Sequence, residues 1–126
     1  SLVDTQAMSD ELGAVARGVV VSQVMPFPYV SGSTVATEYL SALQASGLVA
    51  STPNYTSMEG FVAAQVFTEA ALRAGKAMTR ENLITALQRL QSYNVGGMNL
   101  EFGPDKNTGS RFVEMTMLSE DGKVRR

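Results

Sequence analysis

Residues 53–91, PNYTSMEGFVAAQVFTEAALRAGKAMTRENLITALQRLQ, constrain the fold more than any other stretch of the chain. They read as a loop, a long helix, a short turn and a second, amphipathic helix. Thr56 followed by Glu59 has the spacing of a capping box, which places the first helix start near Ser57. From Phe61 to Ala74 the helix is apolar or small on almost every side, with Phe61, Val62, Val66, Phe67 and Leu72 as its larger members. Such a helix is expected to pack on several sides, inside a layered domain. Gly75 can take the left-handed conformation that ends it. Thr79 then caps a helix whose Leu83, Ile84, Leu87 and Leu90 form one stripe at 3-to-4 spacing.

The flanking segments are shorter. Residues 9–17 predict a helix capped by Ser9, with Asp10 and Glu11 at its positive end. Val19 to Met25 is a nearly continuous β-branched run, expected to be buried on both faces as in a parallel sheet flanked by helices. Pro26 and Pro28 stop it and make Pro26-Phe27-Pro28-Tyr29 a stiff extended connector. Val35, Tyr39, Leu40 and Leu43 mark a one-sided helix ending at Gly47, and residues 48–55 form a loop. After Gly96-Gly97, Met98 to Phe102 predicts a short strand and Gly103 to Ser110 a run of turns. Residues 111–118 alternate, with Val113, Met115 and Met117 on one face and Phe112, Glu114, Thr116 and Leu118 on the other. Asp121-Gly122 is a hairpin turn, so residues 123–126 should return as a short strand. The fold class is α/β, but incomplete. A single buried strand cannot satisfy its own ladder, so the chain expects the rest of a sheet.

Composition excludes several functions. At 126 residues and 44% hydrophobic content the chain can bury a core. Twelve acidic residues against ten basic leave a net charge of −2. Without clustered Lys and Arg, nucleic acid is not an expected partner. The one basic cluster, Lys123, Arg125 and Arg126, reads as a solvated tail. Absence of cysteine removes disulfides, thiolate metal sites and a cysteine nucleophile. Absence of histidine removes the commonest general base, the commonest zinc ligand and any Ser-His-Asp triad within this chain. No apolar run reaches the ~18 residues of a membrane span. No cofactor and no metal are expected, and an enzyme is disfavoured.

Local motifs carry little chemistry. Asp105-x-Asn107-x-Gly109 departs from a calcium loop, because Gly109 stands at the third ligand position and Thr116 at the twelfth. An Asx-type turn is the better reading. Gly109-Ser110-Arg111 does not match the phosphate-loop ending. The seven methionines read as core filler, and Glu114 and Glu120 as surface residues. Tyr29, Tyr55, Thr56, Ser57 and Glu59 differ. They lie at the end of the β-branched strand and at the start of the long helix, where open α/β folds place ligands. Two readings stand: a hydroxyl and aromatic cluster for a small polar molecule, or Thr56 and Glu59 as caps with Tyr55 packed.

Three segments together resemble one family: GVVVSQVMPFP, PNYTSMEGFVAAQVFTEAALRAGKAMTRENLITALQRL and EFGPDKNTGSRFVEMTMLSEDGKV. They are similar, in order and spacing, to the C-terminal third of the branched-chain amino acid type of periplasmic solute-binding protein. These are receptors of ABC importers with the two-lobed type I fold. The resemblance implies a fragment of a bilobal α/β protein with parallel-sheet lobes flanked by helices and a C-terminal β-hairpin. Residues 1–28 would end a second-lobe segment and its crossing strand. Residues 29–95 would be a helical first-lobe segment, and 96–126 a hinge return with the C-terminal β unit. By position, Tyr55, Thr56 and Ser57 would face the inter-lobe cleft, with Tyr29 at the hinge.

The implied function is capture of an amino acid, or a related small polar or aromatic carboxylate, for the membrane subunits of an importer, with a periplasmic location. The fragment alone is expected to bind free amino acid weakly or not at all, and to associate as a homo-oligomer or segment-swapped dimer. The rival readings are a cytoplasmic sensor of the same fold for amides or amino acids, a small α/β enzyme, and a structural interaction domain.

Overall fold

The computed structural model describes residues 4–47 and 52–126. Part of the predicted loop at 48–55 falls outside the described residues. The elements run α1 (Thr5–Leu12), a 3₁₀ turn (Gly13–Ala16), β1 (Val20–Gln23), α2 (Thr34–Ala45), α3 (Tyr55–Ala74), α4 (Arg80–Gln88), β2 (Tyr93–Val95), β3 (Met98–Leu100), β4 (Glu114–Leu118) and β5 (Val124–Arg125).

Three helix caps set the helical body. Ser33 Oγ accepts from Ala36 N (3.2 Å), Asn54 Oδ1 from Ser57 N (2.8 Å), and Thr79 Oγ1 from Asn82 N (3.2 Å). The long helix therefore starts at Tyr55, two residues before the expected Ser57, because Asn54 provides the cap and Thr56 lies within the first turn. It ends as expected at Gly75, whose φ is 73°. It is not buried all round. Tyr55, Met58, Val62, Val66 and Ala70 form one buried stripe, while Phe67 is 53% exposed and Leu72 73%. Among the described residues only α2 and α4 pack on it closely, so the other side faces solvent. In α4 the buried positions are Ala86 and, just past the helix, Leu90, with Leu83 and Leu87 half-buried and Ile84 exposed.

The amino-terminal helix begins earlier than expected. Asp4 caps it, with Oδ1 accepting from Gln6 N (2.8 Å) and Ala7 N (3.1 Å). Ser9 sits inside the helix instead, and its hydroxyl donates to Gly122 O (2.9 Å), fastening α1 to the C-terminal hairpin.

β1 pairs antiparallel with β4, which pairs antiparallel with β5, giving the order β1-β4-β5. The β-branched run is thus not buried on both faces: Val20 is 55% exposed and Val24 41%, while Gln23 is fully buried. The outer edge of β1 has no strand partner among the described residues, which is where a further strand of a larger sheet would add. In β4 the face carrying Thr116 and Leu118 turns inward, and Met115 and Met117 stay exposed.

The pair Gly96-Gly97 is the turn of a hairpin, with Tyr93↔Leu100, Asn94↔Asn99 and Val95↔Met98 in register. Tyr93–Val95 was not expected as a strand. Gly96 has a φ of 52° and its carbonyl accepts from Val35 N (2.9 Å), so the hairpin is pressed against the start of α2. A β-carbon at Gly96 would overlap the Val35 backbone. At 103–106, reciprocal bonds between Gly103 and Lys106 (3.2 and 3.1 Å) close a tight turn ahead of the Asp105–Gly109 motif. No cluster of three or more metal-ligating side chains exists among the described residues, and no helix there is long and apolar enough to cross a membrane.

Candidate functional site

The site gathers where β1 gives way to the connector and α3 begins. Because side chains alternate along a strand, Val21 and Gln23 of β1 share a face with Glu114, Thr116 and Leu118 of β4. Register sets Val21 opposite Thr116 and Gln23 opposite Glu114. This face turns inward but is polar at one end. Gln23 Nε2 donates to Thr5 Oγ1 (2.5 Å), and Thr116 Oγ1 donates to Val21 O (3.3 Å).

Two tyrosines close this polar end. Tyr55, the first residue of α3, is 1% exposed; Tyr29, from the connector, is half-buried. Their rings meet edge to face at 5.9 Å and 86°, and Phe27 meets Tyr29 at 5.1 Å and 67°. The Arg126 guanidinium lies 5.7 Å from the Phe27 ring centre, and its Nη1 is 3.8 Å from Glu114 Oε1. Arg126 is therefore not part of a freely solvated tail, and Glu114, expected at the surface, has one carboxylate oxygen buried. Lys123 and Arg125 both pair with Asp121, at 3.7 and 3.0 Å, across the hairpin turn.

Among the described residues, four buried side-chain atoms have no hydrogen-bond partner: Gln23 Oε1, Tyr29 Oη, Tyr55 Oη and Glu114 Oε2. A few such groups per hundred residues are ordinary in folded proteins and are often met by ordered water; here they fall at one end of the sheet. Burial, then the Glu114 carboxylate, then Tyr29 hold the Tyr55 phenol well above its usual range, while Thr116 and Arg126 pull the other way. The Tyr29 phenol is pushed up to about 12, chiefly by burial, with Asp4 and Tyr39 adding to it. Both hydroxyls thus keep their protons at neutral pH and can donate. Beside Tyr29 opens a concavity of about 410 Å³, walled by Gln6, Phe27, Tyr29, Val30, Val124 and Arg126 among others; Tyr55 does not line it.

Of the residues singled out in the sequence, the structure brings Tyr29 and Tyr55 together. Thr56 is exposed on the first turn of α3. Ser57 is also exposed, and its hydroxyl shares a 2.5 Å hydrogen bond with Tyr39 Oη and donates to Asn54 O (3.2 Å). The structure adds Gln23, Glu114 and Arg126 to this end of the sheet, none of which the sequence reading singles out as a candidate. The available signal was a polar Gln in the middle of a β-branched run, and a Glu alternating with Thr116 on the face that turned out to be buried.

Two phenols, an amide and a carboxylate with unpartnered buried atoms thus come together at one end of the sheet. Comparison with known proteins decides the family. A profile described as periplasmic binding protein matches residues 2–123. The chain belongs to the periplasmic binding protein family. Among solved structures, a substrate-binding periplasmic protein from Ralstonia solanacearum is 34% identical, with a TM-score of 0.88 over 99% of this chain and 36% of that one. An extracellular ligand-binding receptor from Verminephrobacter eiseniae is 27% identical, with a TM-score of 0.83 over 98% of this chain and 35% of that one. A possible leucine/isoleucine/valine-binding protein from Rhodopirellula baltica is 25% identical, with a TM-score of 0.89 over 99% and 33%. The chain spans about a third of the length of these structures. No curated protein matches it. The α/β fold is that of a segment of the bilobal periplasmic binding proteins, and the family is one of solute-binding rather than catalytic proteins.

Proposed function

We propose that the chain is part of the solute-binding component of an ABC importer and acts in the periplasm. In this reading it binds an amino acid, or a related small polar or aromatic carboxylate, in a cleft between two lobes. Residues 1–28 and 96–126 belong to one lobe and its hinge crossings, and 29–95 to the other. Ligand in the cleft stabilises the closed arrangement, which the membrane subunits recognise. The observation that carries this reading is the pair of buried, partnerless hydroxyls of Tyr29 and Tyr55 at the connector. Family membership and the likeness to a possible leucine/isoleucine/valine-binding protein support it. Thr56 and Ser57, exposed on the same helix start, are the residues a second lobe would meet.

Equilibrium dialysis of the full-length protein that carries this chain, against labelled leucine, phenylalanine and an aromatic acid, tests the reading. Saturable one-to-one binding of one of them is expected, and loss of affinity in Tyr55→Phe. Binding of none would overturn it. The 126-residue chain alone should bind weakly and should self-associate, because Val20 (55% exposed), Val113 (64%), Met115 (58%) and Met117 (46%) leave apolar side chains uncovered. Sedimentation showing a strict monomer at all concentrations would contradict the second part.

A further inference from the structure

A second concavity opens where α3 ends against α4. Asn82, Thr85, Ala86 and Arg89 recur at the 3-to-4 spacing of one face of α4, and that face meets Arg73 and Ala74 at the end of α3. Together they wall a space of about 420 Å³, within the usual size of a small-molecule site. Tyr55 opens α3 and Arg73 lies in its last turn. Twenty helical residues span about 30 Å, so this concavity and the tyrosine pair belong to opposite ends of one helix.

The wall is rich in donors and carries no carboxylate. Arg73 spends its Nε on Glu69 Oε1 (2.6 Å), which leaves both Nη groups uncommitted. Arg89 enters no ion pair with any described residue. The negative ends of α3 and α4 favour cations, which accounts for one arginine at each. It does not account for both lining one concavity with no anion between them. A guanidinium presents a fork of N–H donors that matches the paired oxygens of a phosphate or a carboxylate.

We propose that this concavity is a second, separate anion site, taking a small molecule or ion that carries a phosphate or two carboxylates between Arg73 and Arg89. Thr85 adds a hydroxyl to the wall for a further anion oxygen. The site stands apart from the solute-capture reading above and does not depend on it.

Calorimetric titration of the full-length protein carrying this chain with inorganic phosphate and with succinate, at constant ionic strength set by chloride, tests the site. Saturable one-to-one binding of at least one of them is expected, and the one preferred separates a phosphate ligand from a dicarboxylate. Arg73→Gln and Arg89→Gln should each weaken binding at least about tenfold, the scale of one charge-assisted hydrogen bond, with unchanged circular dichroism. Lys76→Gln removes the same charge from the adjoining turn, outside the concavity, and should change the affinity less than about twofold. Glu69→Gln frees Arg73 Nε and should tighten binding, a gain that a damaged fold would not produce. Failure of both anions to saturate overturns the inference. So does binding that survives both arginine substitutions, which would put the anion elsewhere on the protein. Binding that Lys76→Gln weakens as much as they do overturns it too, since net charge would then suffice. Each of these outcomes leaves solute capture intact.

Discussion

The helical body and the polar end of the sheet obey different rules. In α2, α3 and α4 each first turn is closed by a side-chain cap, and the buried positions of α3 after Tyr55 are Met58, Val62, Val66 and Ala70. The Tyr39 hydroxyl of α2, although on a buried residue, bonds Ser57 and the backbone of Asn54. The sheet end is the reverse. Among the described residues, the four buried side-chain atoms without partners come from β1, the connector, the first residue of α3 and β4. Leaving such groups open in one region while satisfying them in another concentrates the cost to stability at the end of the sheet where the proposed site lies. The boundary between the two regions passes through a single residue, Tyr55.

The sharpest way to break this contrast is on the helical side. Gly96→Ala should destabilise by roughly 4 kcal/mol or more, since φ is positive there and the new β-carbon would overlap the Val35 backbone that Gly96 hydrogen-bonds. Denaturant melts that scarcely move would show that the hairpin and α2 are not rigidly joined. Tyr55→Phe should behave oppositely. It deletes a buried hydroxyl that makes no well-formed hydrogen bond, its contact with Thr116 included, so the unliganded protein should be unchanged or stabilised by about 1 kcal/mol, while solute affinity falls. A clear loss of stability would mean that the hydroxyl is satisfied and the two regions are alike.

The smallest effect is a pH dependence. The Tyr29 phenol ionises at about 12 in the folded chain, against the usual value near 10 when unfolded. The folded state therefore holds this proton more tightly. The stability linked to it is complete below pH 10 and is lost as the pH rises from about 10 towards 12. Melting temperatures measured across that window should fall less steeply in Tyr29→Phe than in the parent. Parallel curves would remove Tyr29 from the buried set.

The helix pair was legible because its signals are local. Thr79 caps within three residues, Gly75 and Gly47 end helices with positive φ, and Asp121-Gly122 turns a hairpin between β4 and β5. Of the candidate site, the residues legible in the sequence that the structure brings into contact are Tyr29 and Tyr55. Thr56 was read as the cap although Asn54, two residues earlier, holds Ser57 N, since both residue types compete for that role and only the backbone conformation decides between them. Glu114 was read as surface because a carboxylate is seldom buried, and its alternation with Met115 does not say which face turns inward.

By itself, then, the sequence determined the helices and their ends, the turns, the family resemblance and the exclusion of chemistry that needs histidine or cysteine. Those follow from contacts a few residues long and from residue inventory. Tertiary structure alone decided that the β-branched run pairs antiparallel with a strand about 95 residues away, that α3 has one buried face, and that Gln23 and Glu114 stand opposite each other on the inward face of the sheet. Register and burial are set by which distant segment arrives as a neighbour, and no local pattern encodes that arrival.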